Sequence, residues 1–412
     1  MDEEIINPIF DEEIESEETL SDPFNPNDIS IDKKTILVET CIKRLVQKTI
    51  VLSPDFQRCE VWNEERKSRL IESLMLKIPI PMFYVSADEK SVFTVVDGLQ
   101  RLSAFRDFII GKDFYESNDN ASQGNGMRLS GLEFWTQYNG YTFNELPTYL
   151  QNRITETELT FTIINPGTPD EVKRNIFKRI NTGGLFLTLQ EIRNALYTGK
   201  STELLNRLSK APEFLNATAN AVSSKRMEDL ELILRCLAFM IRNEEAYPKN
   251  SNMDAFLCDT MQIINAYPIF DNNEIKKLVQ RGHVTIESIR NNSLKELERL
   301  FVSGMERSYQ LFGQHCFRRS YGDSRRSPIN KALFEMWGST LSLLAEDEFL
   351  SVRRHENELK QDYYQLLGDI EFQNLISRDS WKFTSVQKRF EKIHHLIDKY
   401  KQDDNQYTTE RI

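Results

Sequence analysis

The chain has 412 residues, which is enough for two or three domains of typical size. Hydrophobic residues make up 40% and charged residues 28%, as in most soluble globular proteins, and no apolar run approaches the roughly 18 residues of a membrane-spanning helix. The first residues are acidic where a secretory signal would be basic and then apolar. Because the five cysteines lie far apart, without a Cys-x-x-Cys pair, we expect reduced thiols and a cytoplasmic location.

The net charge of −11 comes from an acidic tail at residues 1–32. This tail contains twelve Asp and Glu residues and no Lys or Arg, whereas residues 33–412 contain 51 acidic and 52 basic residues. So polar a segment cannot bury enough apolar surface to fold alone, and we predict that it is disordered. It either covers a basic site by mimicking nucleic acid or serves only as a solubilising leader.

Residues 33–200 alternate short apolar runs with helical patterns, which predicts an α/β domain. Runs of β-branched or aromatic residues predict four strands: Ile50–Leu52, Met82–Ser86, Val92–Val96 and Leu159–Ile164. Apolar residues three or four positions apart predict helices at Asn63–Leu76 and Leu99–Ile110. The polar, glycine-containing stretch 111–130 predicts an exposed insertion loop.

Residues 201–405 are expected to form an all-helical domain, because they contain amphipathic helical patterns and no comparable strand run. The clearest patterns are Ser224–Arg242, Ser293–Leu311 and Ser385–Tyr400. The five histidines all lie here, without the spacing of zinc ligands. A local surplus of arginine indicates either contact with nucleic acid phosphates or a solvated face; it comprises Arg318, Arg319, Arg325, Arg326, Arg353 and Arg354. The predicted fold class is therefore α+β.

The strongest local pattern is a strand that runs into Asp97-Gly98 with a helix directly behind it. Gly98 allows a sharp turn, and the N–H groups of the first helical turn favour a phosphate as their ligand. Arg101 can clamp that phosphate, and Asp97 can hold a divalent cation or orient a water molecule. The same pattern also fits an ordinary turn that caps a helix.

A second polar cluster lies where one predicted helix ends and the next begins. The segment Arg179-Ile180-Asn181-Thr182-Gly183-Gly184 closes the first helix with a turn that tolerates positive φ. Thr188 then caps the next helix, which carries Arg193 and Asn194. These polar groups either contact phosphate or satisfy one another in a linker between two helices.

A third segment, Gln57-Arg58, follows a proline after the first predicted strand. Together with the Asp97-Gly98 corner and the segment 179–184, it resembles the N-terminal domain family of the GmrSD modification-dependent restriction enzymes. That family is related to the ParB/sulfiredoxin fold. The family pattern is Gln-Arg after a proline, then an Asp-Gly-Gln-Gln-Arg box, then Arg-Ile-Asn-Thr-Gly-Gly. All three elements occur here in that order within residues 33–200. Two features depart from the family: Leu99 replaces the first glutamine of the box, and residues 201–412 contain no His-Asn-His nuclease motif.

The resemblance implies a nucleoside triphosphate site in which Asp97, Gln100 and Arg101 are catalytic and Asp97 holds Mg²⁺. The remaining nucleotide contacts that it implies are Gln57, Arg58, Gly98, Arg179, Asn181, Thr182, Gly183, Gly184 and Arg193. If the residue at position 99 orients the attacking water, Leu99 weakens hydrolysis while nucleotide binding survives.

The resemblance also implies association with DNA in restriction or anti-phage defence, together with a separate nuclease or other defence partner. Two alternatives stay open. One is a metal-dependent DNA nuclease that uses the same box, and the other is a non-enzymatic DNA-binding or scaffold protein.

Overall fold

The computed structural model describes residues 30–52, 62–111, 126–180, 188–268, 273–280, 284–290 and 293–401. These residues form two compact units, one ending at Leu196 and the other beginning at Tyr197. Within these ranges, no helix is long and apolar enough to cross a membrane.

The first unit is built on a mixed five-stranded sheet. Its strands are β1 (Ile31–Leu37), β2 (Ile50–Val51), β3 (Phe83–Ala87), β4 (Phe93–Asp97) and β5 (Glu158–Ile164). Their order across the sheet is β1-β5-β3-β4-β2. The pairs β1–β5 and β3–β4 are antiparallel, whereas β5–β3 and β4–β2 are parallel.

Six helices accompany the sheet: α1 (Val38–Val46), α2 (Glu64–Met75), α3 (Leu99–Ile109), α4 (Thr148–Thr155), α5 (Asp170–Ile180) and α6 (Leu189–Leu196). Alternate strand residues such as Val85 and Phe161 pack with α1 to α4 in the larger hydrophobic core. A smaller core joins Val96 and Ile164 of the sheet to Phe177 of α5 and Ile192 of α6. The end of β4 therefore lies beside the two helices that flank the second sequence motif.

The predicted strands and helices of this unit are confirmed to within one residue at each end. Strand β1 was missed because only Ile36 of its seven residues is buried, which leaves no apolar alternation. It pairs along its whole length with β5, so Ile31 and Asp32, assigned above to the acidic tail, belong to the sheet. The exposed loop predicted at 111–130 is wrong at its end, where Leu129 is buried and Met127 packs against the larger core.

The second unit is helical in the part that the structure describes. Its helices are α7 (Lys200–Leu208), α8 (Pro212–Ala217), α9 (Glu228–Ile241), α10 (Met253–Asn265), α11 (Asn273–Gln280), α12 (Leu294–Phe312), α13 (Lys331–Leu343), α14 (Glu346–Arg354), α15 (Glu356–Gly368), α16 (Ile370–Ser377) and α17 (Phe383–Asp398). The three long helices predicted here correspond to α9, α12 and α17, and the α+β fold class is confirmed.

Two glycines allow α9, α12 and α13 to pack closely at the centre of this unit. A Cβ atom on Gly304 of α12 would lie 2.4 Å from the carbonyl oxygen of Gly338 in α13. A Cβ atom on Gly338 would in turn lie 2.7 Å from Sγ of Cys236 in α9. Any larger residue at either position would force the helices apart.

Candidate functional site

The candidate site is the corner between β4 and α3, formed by residues 97–101. Strand β4 ends at Asp97, Gly98 turns the chain with φ of 99° and ψ of 8°, and α3 begins at Leu99. Val85 lies opposite Val95 while Tyr84 lies opposite Asp97, so Val96 is the extra residue of a β-bulge. Bulges of this kind redirect the side chains that follow them. The corner is therefore set by the register of the sheet as well as by its own sequence.

Only glycine fits at position 98. A Cβ atom there would lie 2.3 Å from Cδ1 and 2.8 Å from Cε1 of Phe83, and 3.2 Å from Nη2 of Arg101. The positive φ is a second reason, because side chains disfavour this part of backbone space. The first turn of α3 has no side-chain cap and contains no acidic residue. Its N–H groups therefore lie at the corner with the polarity that favours an anion.

Arg101 links the corner to the start of β3. Its Nη1 and Nη2 atoms each donate to the Met82 carbonyl oxygen at 3.3 Å, and Nη1 also donates to the Pro81 carbonyl oxygen. The guanidinium carbon lies 4.5 Å from the centre of the Phe83 ring. Burial lowers the pKa of Arg101 below its ordinary value, and Asp97 partly offsets this shift. With its side chain only 12% exposed, Arg101 acts in this structure as a positioning residue for the corner.

Asp97 is the more open of the two charged residues. Its Oδ2 accepts a hydrogen bond from Arg101 Nη2 at 2.8 Å, and its side chain is 34% exposed. Among the described residues, no donor contacts its Oδ1 atom. Arg101 therefore fixes one carboxylate oxygen, and the other has no donor among the described residues.

The other two side chains of the box are half-buried in the first turn of α3. Leu99 packs against the larger hydrophobic core, which explains why an apolar residue is accommodated there. Gln100 lies beside it, next to the corner. The structure thus brings Asp97, Gly98, Gln100 and Arg101 together, as the sequence pattern predicts.

The helix that leads into the second motif packs beside the end of β4 in the smaller core. Val96, which directly precedes Asp97, packs in the same cluster as Phe177, which lies two positions before Arg179. The backbone of Arg179 belongs to α5, but its side chain lies outside the described part of the structure. The predicted contacts Gln57, Arg58, Asn181, Thr182, Gly183 and Gly184 also lie outside the described residues.

Helix α6, which follows the second motif, is held by a reciprocal cap. The backbone N–H of Thr188 donates to Glu191 Oε2 at 2.7 Å, and the N–H of Glu191 donates to Thr188 Oγ1 at 3.2 Å. Arg193 is 1% exposed and its Nε donates to Gln190 Oε1 at 2.9 Å. The charge of Arg193, predicted to contact the nucleotide, is thus held inside the unit.

The sequence analysis missed Phe83 and the carbonyl groups of Pro81 and Met82. These groups fix Arg101 from the neighbouring strand, which local patterns around the Asp-Gly corner cannot reveal. The closely spaced prolines at 79 and 81 were the available signal, because they mark an irregular stretch whose carbonyl groups are left for other partners.

Residues 42–198 match the family model described as the GmrSD restriction endonuclease, N-terminal domain. The resemblance inferred from the three sequence motifs is therefore confirmed for this segment, which includes β4, α3 and α6. No curated protein matches the chain. No solved structure matches it either.

Proposed function

We propose that the corner at residues 97–101 binds the phosphates of a nucleoside triphosphate, and that the protein acts in association with DNA in restriction or anti-phage defence. The family match of residues 42–198 supports the restriction or defence setting. The geometry of the corner supports the nucleotide site. The observation that carries it is Asp97, which has one oxygen fixed by Arg101 and the other free of protein donors in the described residues.

The polarity of the corner supports phosphate binding. The first turn of α3 presents N–H groups without a side-chain cap, and the positive φ of Gly98 lets this turn begin directly behind β4. Arg101 adds a permanent positive charge about one helical turn further on. A phosphate at this position would meet hydrogen-bond donors from the backbone and a cation held in a fixed orientation.

The residues present also fit a magnesium ion that arrives with the nucleotide. No group of three His, Cys, Asp or Glu side chains in the described residues could hold a metal by itself. Mg²⁺ is commonly bound by one or two carboxylates together with substrate phosphates, and Asp97 Oδ1 is such a carboxylate oxygen. When bound, the ion would neutralise charge on the phosphates. Asp97 would hold it, and Arg101 would keep the carboxylate in place.

The rate of hydrolysis depends on the residue at position 99, which is Leu99 here. Positioning and charge neutralisation account for most of the catalysis in phosphoryl transfer, and a glutamine often orients the attacking water. Here Leu99 packs against the core and offers no hydrogen bond. We therefore propose slow hydrolysis, in which Asp97 and Gln100, the polar side chains nearest the corner, would orient a water molecule.

The test measures nucleotide binding and phosphate release in Asp97→Asn and Arg101→Ala, with Asp88→Asn as the matched control. Asp88 lies at the opposite end of the β3–β4 hairpin, where it accepts hydrogen bonds from the N–H groups of Lys90 and Val92. The control therefore makes the same charge change on the same hairpin.

We expect Arg101→Ala to weaken triphosphate binding by roughly 10- to 100-fold, because it removes the positive charge at the corner and the group that holds Asp97. Asp97→Asn should abolish the magnesium-dependent part of binding and phosphate release, while Asp88→Asn behaves as the wild type. A panel of nucleotides with and without Mg²⁺, read by thermal shift, gives the affinities. If both site variants bind as tightly as Asp88→Asn, the nucleotide site lies elsewhere.

A further inference from the structure

A short loop in the second unit carries two copies of the same triplet. Arg318-Arg319-Ser320 and Arg325-Arg326-Ser327 are separated by Tyr321-Gly322-Asp323-Ser324. We call residues 318–327 the arginine loop. It connects α12 with α13 and lies far from the corner in sequence.

The two serines close the base of the arginine loop. Ser320 Oγ accepts a hydrogen bond from the N–H of Ser327 at 2.9 Å. Ser327 Oγ accepts in return from the N–H groups of Arg319 at 3.1 Å and Ser320 at 3.2 Å. The two triplets are therefore held face to face, and the backbone that carries their arginines has a defined shape.

Two further contacts fix the loop to the helices. Arg318 is buried, and its guanidinium donates to the carbonyl oxygens of Ser327 and, at 3.2 Å, of Thr218. The Tyr321 ring stacks on Tyr364 of α15 at 4.2 Å between centroids, with 13° between the ring planes. One arginine and one tyrosine thus anchor the loop, which leaves the other arginines at the surface.

Two arginines of the loop, Arg325 and Arg326, carry charge that no described residue pairs. Arg319, Arg325 and Arg326 are exposed, and neither Arg325 nor Arg326 makes a hydrogen bond or ion pair within the described residues. The single acidic residue of the loop is Asp323. Burial lowers the pKa of Arg318, and the like charge of Arg326 lowers it further.

Several other surface cations of this unit are paired with acids. Lys388 and Lys392 of α17 both contact Glu371, and Arg299 contacts Glu296 at 2.7 Å. Paired surface charges have little affinity left for an outside anion, whereas a cluster of unpaired arginines attracts one strongly. The arginine loop differs from the paired cations in this respect.

We infer that the arginine loop contacts the phosphate backbone of DNA. Guanidinium groups bind phosphate oxygens in a bidentate way and remain charged at every physiological pH. A rigid loop with several such groups would position the protein on a duplex without reading its sequence. The inference rests on the DNA-association part of the proposed function and is independent of the nucleotide site.

The test compares the double variant Arg325→Ala/Arg326→Ala with the control Lys388→Ala/Lys392→Ala, both in the full chain. Each removes two positive charges from the second unit, but the control removes charges that are already paired with Glu371 and Asp369. Binding to a fluorescent duplex of arbitrary sequence is measured by anisotropy at several salt concentrations. Equal melting temperatures of both variants and the wild type confirm that folding is unaffected.

We expect the arginine variant to lose roughly tenfold or more in affinity at low salt, with the salt slope reduced by about two. The control should keep the wild-type slope. If both variants lose affinity equally, only the net charge matters and the inference is wrong.

Two further outcomes would also overturn the inference, and they separate it from the nucleotide site. If the wild type binds no DNA while nucleotides still stabilise it, the loop contact and the DNA association both fail and the nucleotide site stands. If a labelled peptide of residues 1–32 binds the wild type but not the arginine variant, while DNA binds both equally, the loop holds the acidic tail and not DNA.

Discussion

Replacing Gly98 with alanine is expected to lower the free energy of unfolding of the first unit by about 3 kcal/mol. The φ of 99° accounts for roughly 1–2 kcal/mol, because a side chain disfavours this conformation. The clash at 2.3 Å with Phe83 adds roughly 1–3 kcal/mol. The ring cannot easily move aside, since it is fully buried and stacks on Phe161 at 5.1 Å between centroids.

Gly140→Ala is the matched control, because it separates the two contributions. Gly140 has a φ of +86°, yet a Cβ atom there would meet nothing within 4 Å. Its replacement should therefore cost only the backbone part, roughly 1–2 kcal/mol. A second control combines Gly98→Ala with Phe83→Leu, which removes part of the ring that the new methyl group would contact. In that background, the alanine should cost about as much as it does at position 140.

The assay is urea unfolding of the full chain, read by pulsed hydrogen exchange of peptides from the five-stranded sheet. This readout follows the first unit alone, which matters because unfolding of a two-unit chain is not one transition. Equal losses in the free energy of unfolding for Gly98→Ala and Gly140→Ala would contradict this prediction. The Phe83 ring would then yield to the added methyl group, and only the backbone would require glycine.

Two further predictions concern Glu72 of α2 and Leu99, which replaces the first glutamine of the Asp-Gly-Gln-Gln-Arg box. Glu72→Gln should cost about 1–2 kcal/mol at neutral pH, because the Glu72 carboxylate accepts hydrogen bonds from the N–H groups of residues 133–135. Burial raises the pKa of Glu72, but these hydrogen bonds and Arg69 outweigh it, so the folded pKa lies below the ordinary 4.5. Because the folded pKa is lowered, the ionised Glu72 carboxylate stabilises the folded state at pH values above the unfolded pKa. This stabilisation is lost as the pH falls from 4.5 through the folded pKa. The difference in the free energy of urea unfolding between wild type and Glu72→Gln should therefore shrink over that range. Leu99→Gln should raise the rate of nucleotide hydrolysis roughly tenfold or more with little change in nucleotide affinity. Phosphate release measures the rate, and thermal shift measures the affinity. An unchanged rate would show that the residue at position 99 does not orient the water.

The elements that the sequence predicts well are those whose burial follows a regular period. Strand β3 alternates buried residues, and the apolar residues of α3 recur at helical spacing. Strand β1 lacks this signal because it is an edge strand joined to β5 by backbone hydrogen bonds. Glu72 is a similar case, since its partners lie about 60 residues away and no local pattern connects them.

The same distinction applies to the candidate site. A local pattern predicts that Asp97 and Gly98 form a corner before a helix, and the structure agrees because a strand, a glycine and a helix start are all local features. The surroundings of Arg101 depend on which strand lies beside β4 and in which register. That information comes from the whole sheet, so the Phe83 ring and the Met82 carbonyl group could not be inferred from residues 97–101.

The contacts of Arg101 with the neighbouring strand change the role that its side chain plays in nucleotide binding. A sequence pattern treats an arginine in the first turn of a helix as a ligand for phosphate. In the structure, both Nη atoms donate to groups of the protein, and an arginine bound in this way cannot swing toward a ligand without breaking contacts with Met82 and Asp97. Its charge still acts at the corner, because electrostatic attraction does not require a freed donor. Arg101→Lys separates the two roles: it keeps the charge but loses the planar fork that holds Asp97. If nucleotide affinity survives in Arg101→Lys, the charge is what matters, whereas a loss equal to that of Arg101→Ala assigns Arg101 to the positioning of Asp97.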